Sequence, residues 1–280
     1  MVQHFGVIGF PVGHSLSPWI HQQFFQKSGI QGTYRKIAIA PDRFAQEITQ
    51  LLSGDMHGFN VTVPYKEAII PFLDELADNA ASIGAVNTVT KKDGKWVGFN
   101  TDGIGFLRSI GTRFPDFLDE LDKKILILGA GGAARGIYAA MLQTGMPVID
   151  IANRTRASAE KLSQLNSGNT SSAVLSLEDA EASINKYDLI IQTTSVGMEP
   201  DDEGQLVKLG KLRTNTIVSD IVYKPIMTKL LKQAEQRGAR IHQGHLMLLH
   251  QARYAFEIWT ECKVDVQSMD IELKAVLEGR

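Results

Sequence analysis

The stretch KKILILGAGGAARGIYAAMLQTG, from Lys123 to Gly145, and the VIDIANRTR that follows it constrain the fold more than any other part of the chain. Ile125, Leu126, Ile127 and Leu128 read as a buried strand, followed by a glycine turn, a helix from about Ala133 and a second strand from Val148. Gly129, Gly131 and Gly132 carry no Cβ, so the backbone turns sharply there and lets a ligand approach closely. The helix that follows aims unpaired N–H groups and its positive dipole end at that turn, which favours a phosphate. A glycine cluster alone also fits an ordinary βα turn. Both flanking elements are present here, and that is the context a dinucleotide fingerprint requires.

The end of the second strand bears on which dinucleotide would bind. An NAD site usually places a carboxylate there, and Asp150 has tolerable spacing, so spacing alone does not exclude NAD. Asp150 lies inside the strand, however, and Asn153, Arg154, Thr155 and Arg156 occupy its carboxyl end. Two guanidiniums and a hydroxyl suit a 2′-phosphate, because arginine presents a rigid donor fork to phosphate oxygens. The competing explanation is a solvated basic turn with Thr155 capping the next helix. NADP is the expected cofactor.

Length and charge narrow the class. The 280 residues suit two domains with ample core, and length alone also admits one large domain. A net charge of −2 gives no electrostatic case for nucleic acid. No apolar run reaches membrane-spanning length, and the opening MVQHFGVIGF lacks the basic segment and cleavage site of a signal peptide. The single Cys262 permits no internal disulfide, which fits a reducing cytoplasm. His242, His245 and His250 lie close in sequence, but no carboxylate or thiolate nearby completes a first shell, so no metal is expected.

Before about residue 105, strand-like segments (Phe5 to Gly9, Thr33 to Ile39, Gly58 to Val63, Ala85 to Thr90, Lys95 to Phe99) alternate with helical ones (Pro18 to Lys27, Phe44 to Ser53, Ile69 to Ser82). This alternation predicts an α/β layer with a largely parallel sheet. A second series has strands at Ile125, Val148, Asp188 and Thr216, and Met247 to Thr260 closes as an amphipathic helix. The first half also places polar residues at strand ends, where ligands of open α/β sheets bind. They include Ser15 and Ser17 after the first strand, Thr62 and Lys66 after the third, then Asn87 and Asp102. Ser17 with Pro18 reads equally well as a helix N-cap, which leaves Ser15 unexplained.

The motifs GxPxxHSLSP (Gly9 to Pro18), NVTVPYK (Asn60 to Lys66), GAVNT (Gly84 to Thr88), GFNTDG (Gly98 to Gly103), GAGGAAR (Gly129 to Arg135), NRT (Asn153 to Thr155), TSVGM (Thr194 to Met198), DIVYKPIMT (Asp220 to Thr228) and GxxMLxxQA (Gly244 to Ala252) together resemble the shikimate dehydrogenase family from the first strand to the last helix. The resemblance implies an amino-terminal α/β substrate domain and a Rossmann-like NADP-binding domain, with the carboxyl-terminal helices returning to the substrate side. The expected boundaries are residues 1–105 and 242–280 against 106–241. It implies reversible NADPH-dependent reduction of 3-dehydroshikimate to shikimate, on the route to chorismate and aromatic amino acids. A cytoplasmic monomer or homodimer is expected, although the resemblance does not fix the assembly.

Lys66 and Asp102 are then the catalytic pair, since a carbonyl taking up hydride needs a positioned acid, and Asp102 equally suits binding a substrate hydroxyl. Substrate contacts fall on Ser15, Ser17, Thr62, Asn87, Tyr223 and Gln251. Cofactor contacts fall on Gly129, Ala130, Gly131, Gly132, Ala133, Asn153, Arg154 and Thr155, with Asp78, Ile221 and Gly244. Some positions depart from the pattern. Ser158 stands where a basic residue often follows the NRT turn, so that either Arg156 substitutes for it at the 2′-phosphate or Arg154 carries that contact. Gln243 stands where an acidic residue often precedes Gly244, and Glu261 where a glycine often follows the last Trp-Thr. Two alternatives stay open: a sister enzyme using NAD on quinate or aminoshikimate, and a non-catalytic nucleotide sensor.

Overall fold

The computed structural model describes residues 2–279. The chain forms two compact units. One runs through Asp102 and takes back Gln251–Val266, and the other comprises Gly103–His250 and the residues from Gln267 onward.

The first unit contains β1 (Gln3–Gly9), α1 (Ser17–Ser28), β2 (Gly32–Ala38), α2 (Phe44–Ser53), β3 (Gly58–Val61), β4 (Glu75–Leu76), α3 (Asp78–Ile83), β5 (Thr88–Lys92) and β6 (Lys95–Phe99). Its sheet runs β2-β1-β3-β5-β6-β4. The expectation of a largely parallel sheet needs correcting, because β3–β5 and β5–β6 pair antiparallel. Asp93 and Gly94 join β5 to β6 with φ of 51° and 80°, and so short a turn links only antiparallel strands. The expected helix Ile69 to Ser82 is also broken up. A 3₁₀ turn at Ile70–Phe72 precedes the short edge strand β4, and only Asp78–Ile83 is α-helical. Pro71 removes a backbone donor, and Glu75 and Leu76 instead pair with Val97 and Gly98.

The unit's core gathers Ile8, Phe59, Val61, Val89 and Trp96. Trp259 closes one side: its ring stacks on Phe5 with centroids 4.7 Å apart, and its indole N–H donates to the Val89 carbonyl at 2.9 Å. Gly58 permits that approach, since a Cβ there would lie 2.5 Å from the indole nitrogen.

The second unit contains α4 (Asp102–Arg113), whose first residue belongs to the other unit, then β7 (Lys124–Leu128), α5 (Gly132–Leu142), β8 (Val148–Ala152), α6 (Arg156–Ser163), β9 (Val174–Leu175), α7 (Leu177–Ala182), β10 (Leu189–Gln192), β11 (Ile217–Asp220), α8 (Lys229–Gln236) and β12 (Arg240–Gln243). The long α9 (Gly244–Thr260) passes from this unit into the first at Gln251, and α10 (Met269–Leu277) returns. The sheet order is β12-β11-β10-β7-β8-β9, all parallel. This is the doubly wound order in which the chain reverses direction between β7 and β10, and ligands bind outside the carboxyl ends at such a point. Along β7, Ile125 and Ile127 face a cluster with Phe106, Ile110 and Tyr138, while Leu126 and Leu128 face one with Leu230 and Leu231. Strand periodicity sends alternate side chains to opposite faces, so an unbroken apolar run marks a strand covered on both sides.

The expected grouping of residues 242–280 differs from these units at both ends. The start of α9 and all of α10 pack with the doubly wound sheet, because Asp270 accepts from the buried His245 at 2.7 Å and Met269 and Leu273 are buried. Among the described residues no helix is long and apolar enough to cross a membrane.

Candidate active site

Three turns of the first unit bring the polar residues together. After β3, the Tyr65 amide donates to the Thr62 carbonyl at 2.9 Å, and the Tyr65 ring stacks on Phe44 at 4.1 Å. The Tyr65 hydroxyl donates to the Ile39 carbonyl, so the turn is pinned on both sides. Lys66 follows, its carbonyl accepting from the Val86 amide at 2.7 Å. Asp102 opens α4, where the helix dipole favours a carboxylate. Its amide donates to Asn100 Oδ1 at 3.1 Å, and Asn100 Nδ2 donates to the Ala85 carbonyl at 2.9 Å.

At the meeting point Lys66 Nζ donates to Asp102 Oδ2 at 2.5 Å, with the two side chains only 13% and 6% exposed. Asn87 Nδ2 donates to the other carboxylate oxygen at 2.8 Å. Asn87 Oδ1 is itself fully engaged, accepting from the Thr101 amide at 2.8 Å and the Thr88 hydroxyl at 2.9 Å. The Gln251 amide oxygen lies 3.5 Å from Asn87 Nδ2, and the Gln251 backbone carbonyl accepts from Thr101 Oγ1 at 3.1 Å. Lys66, Asp102, Asn87 and Gln251 therefore form one cluster.

Ser15 and Ser17 pair with each other. Their hydroxyls are 3.1 Å apart, and Ser15 Oγ accepts the Ser17 amide at 3.2 Å. Ser17 is not the N-cap its neighbour Pro18 advertised. Helix α1 begins at Ser17 itself, with Leu16 at the cap position and no capping side chain. Thr62 sits partly buried against Gly9, where a Cβ would lie 2.3 Å from its methyl.

Behind the cluster stands a layer that the sequence motifs contained without revealing its role. Tyr34 OH donates to Asn60 Oδ1 at 2.7 Å, and Asn60 Nδ2 donates to the Asn87 carbonyl and to Thr88 Oγ1, both at 3.1 Å. The available signal was polar residues at strand positions that are otherwise buried.

In the second unit, Gly129 adopts φ of 115°, and a Cβ there would lie 2.5 Å from Thr193 Oγ1. A Cβ on Gly131 would meet nothing within 4 Å. The turn thus presents an open cradle before the N-terminus of α5, which has no capping side chain, so Gly129, Ala130, Gly131, Gly132 and Ala133 fit a dinucleotide phosphate.

At the end of β8, Asn153 Nδ2 donates to the Thr155 carbonyl at 2.9 Å, and Arg154 and Thr155 are exposed. Thr155 occupies the N-cap position of α6 but makes no side-chain cap bond. Arg156 turns its Nε to Glu160 at 2.8 Å. Asp150 lies inside β8, and each of its oxygens is engaged within the unit, accepting from Tyr187 OH and from the Ala173 amide, each at 2.8 Å. Arg154, not Asp150, stands at the strand end.

Ile221 and Gly244 touch, since a Cβ on Gly244 would lie 2.5 Å from the Ile221 carbonyl oxygen. Tyr223 follows β11, and burial raises its phenol pKa. Asp78 is an exposed residue of the first unit, at the start of α3. The three histidines serve separate partners: His242 bonds Ser219 at 2.8 Å, His245 bonds Asp270, and His250 bonds Thr112 at 3.3 Å. No group of three His, Cys, Asp or Glu among the described residues could hold a metal ion.

A doubly wound sheet with an open glycine turn, in a chain that also carries a shielded lysine–carboxylate pair, defines a dinucleotide-dependent oxidoreductase. Comparison with known proteins narrows this. Residues 7–89 match the shikimate dehydrogenase substrate binding domain, 115–223 the shikimate/quinate 5-dehydrogenase family and 244–270 the shikimate 5′-dehydrogenase C-terminal domain. A shikimate dehydrogenase (NADP(+)) of Oceanobacillus iheyensis is 47% identical over 275 residues, covering 98% of each chain. The crystal structure of shikimate dehydrogenase from Aquifex aeolicus, 38% identical, superposes with a TM-score of 0.87 over 98% of each chain. That of shikimate 5-dehydrogenase from Thermus thermophilus, in complex with NADP(H) and shikimate, is 31% identical with a TM-score of 0.84, over 96% of this chain and 97% of that one. The chain belongs to the shikimate dehydrogenase family.

Proposed function

We propose that this chain catalyses the reversible NADP-dependent interconversion of shikimate and 3-dehydroshikimate. The observation that carries the reading is the Lys66–Asp102 pair, 2.5 Å apart, shielded from water and braced by Asn87. NADPH, when bound, supplies the hydride. The remaining work falls to the chain's own groups. Lys66 donates a proton to the substrate oxygen as negative charge develops on it, and in the reverse direction takes that proton from the alcohol. Asp102 holds the ammonium in place, and Asn87 holds Asp102.

Ser15, Ser17, Thr62 and Tyr223 are hydroxyl donors for the substrate, Ser15 and Tyr223 being those assigned to its carboxylate, and Gln251 and Asn87 Nδ2 address the ring hydroxyls. The glycine turn takes the pyrophosphate, and Arg154, with Asn153 and Thr155, takes the 2′-phosphate. Ile221, Gly244 and Asp78 complete the cofactor contacts. The enzyme acts in the cytoplasm as a monomer or homodimer.

The test is a spectrophotometric assay of nicotinamide reduction with shikimate or quinate against NADP or NAD. Shikimate with NADP is the expected best pair. A preference for quinate with NAD would move the chain to the sister activity, and inactivity with every pair would leave a nucleotide sensor.

A further inference from the structure

Asp220 is a buried carboxylate outside the proposed chemistry, 1% exposed at the last position of β11. Its Oδ1 accepts from the Val222 amide at 2.9 Å and from Gln192 Nε2 at 3.2 Å. Its Oδ2 accepts from the Thr228 hydroxyl at 2.7 Å. Val222 and Thr228 lie at opposite ends of the turn that carries Tyr223, so one carboxylate ties that turn at both ends. Thr228 in turn accepts from the Leu231 amide at 3.3 Å, which joins the tie to the start of α8.

Gln192, opposite Asp220 in the sheet, does the same for the next turn. Its Oε1 accepts from the Thr194 amide at 2.5 Å, and its Nε2 also donates to the Val196 carbonyl at 3.0 Å. The two turns are joined further along, where the Glu199 amide donates to the Lys224 carbonyl at 3.0 Å and Lys224 pairs with Glu199 at 3.3 Å. Burying a carboxylate is costly unless donors meet it, and here two of its three bonds go to the ends of the turn after β11 and the third to Gln192 on the neighbouring strand.

We propose that Asp220 is a positioning residue for Tyr223: by clamping the Ile221–Thr228 turn at both ends it fixes where the Tyr223 hydroxyl points, and so sets affinity for the substrate carboxylate. The proposal rests on the reading above that Tyr223 meets that carboxylate. Burial pushes the Asp220 carboxyl up to about 7, and the Thr228 and Val222 bonds work against that rise.

A double-mutant cycle tests it. Asp220→Asn keeps the volume but replaces one acceptor oxygen with a donor, and it should raise the KM for shikimate about tenfold with a much smaller change in kcat. NADP affinity, read by calorimetry, should fall by less than the shikimate effect, about threefold at most, since Ile221 alone of the proposed cofactor contacts lies on this turn and the glycine turn is untouched. In a Tyr223→Phe background the same substitution should change KM by less than about twofold, because a lost hydroxyl cannot be misplaced. Thr228→Val, which removes one tie without altering charge, should reproduce the KM effect, and Thr228→Ser should restore it; this pair also decides the matter should Asp220→Asn fail to fold. Additive losses in the cycle, or equal damage to kcat and NADP binding, would overturn the proposal while leaving Tyr223 as a substrate contact. Should Tyr223→Phe alone leave KM unchanged, the assignment of Tyr223 falls and the proposal with it.

Discussion

Replacing Lys66 with alanine separates three roles for this side chain. In the structure its ammonium sits 2.5 Å from Asp102, with 13% of the lysine and 6% of the aspartate side chain exposed. Loss of a general acid–base group lowers turnover by roughly 10²–10⁴-fold, equivalent to about 3–5 kcal/mol of barrier. A second effect is also expected. Removing the cation leaves Asp102 with Asn87 as its side-chain donor. Breaking a fully buried pair costs about 3–5 kcal/mol, and the residual exposure here reduces that to about 1–3 kcal/mol of folding stability. Lys66→Met, which keeps the apolar stem, should match the alanine variant in turnover and lose less stability.

The assay is steady-state kinetics in both directions, with shikimate affinity from calorimetry and stability from urea unfolding. An acid–base lysine predicts a collapsed kcat with shikimate affinity changed by less than about tenfold. A lysine that only binds substrate predicts a raised KM and normal turnover at saturation. A solvated surface lysine predicts no change in either. Near-normal kcat at saturating shikimate would refute the assignment.

Other outcomes follow from single contacts. Arg154→Ala should raise the KM for NADPH by about tenfold or more and barely move that for NADH; equal effects would show that Arg154 does not read the 2′-phosphate. Gly244→Ala places a Cβ 2.5 Å from the Ile221 carbonyl and 2.7 Å from that of Val222, so it should cost about 1–3 kcal/mol in urea unfolding and weaken NADP binding in calorimetry; unchanged stability would mean that the backbone yields freely there. His21 is wholly buried, stacked on Tyr34 at 4.3 Å, and burial lowers its pKa to about 3, so the unfolded chain takes up a proton below about 6.5 that the folded chain refuses. Stability is therefore lost as pH falls through the window from about 6.5 to 3, by about 2 kcal/mol at pH 5 from this residue. His21→Phe should remove that share, and an unchanged stability difference between pH 7 and pH 5 would count against it.

The sequence by itself determined the centre of the second unit, where the strands read near Ile125, Val148, Asp188 and Thr216 are β7, β8, β10 and β11, while the outer strands β9 and β12 went unread. A four-residue apolar run, three glycines and a helix define a βα unit through local rules, because strand periodicity, the missing Cβ and the helix dipole act within a few residues of one another. The motif residues Lys66, Asn87, Asp102 and Gln251 were also legible as candidates, and the fold brings all four into one cluster. What the sequence misread depended on partners far along the chain. Ile69 to Ser82 has helical composition, but Glu75 and Leu76 find a sheet edge at Val97 and Gly98, and tertiary pairing outweighs local propensity. Ser17 looked like a cap until Ser15 took its amide.

Asp150 and α10 belong with these. Asp150 has tolerable spacing for a ribose carboxylate, but its two oxygens meet Tyr187 and the Ala173 amide inside the unit. The carboxyl-terminal helices are expected on the substrate side, but α10 packs with the doubly wound unit, where Asp270 accepts from His245. A buried polar atom must find a partner wherever the fold provides one, and the identity of that partner is a property of the packed chain. The chemistry a residue can perform is written in its side chain. Which residues are held ready to perform it, and which are spent holding the fold, only the tertiary structure decides.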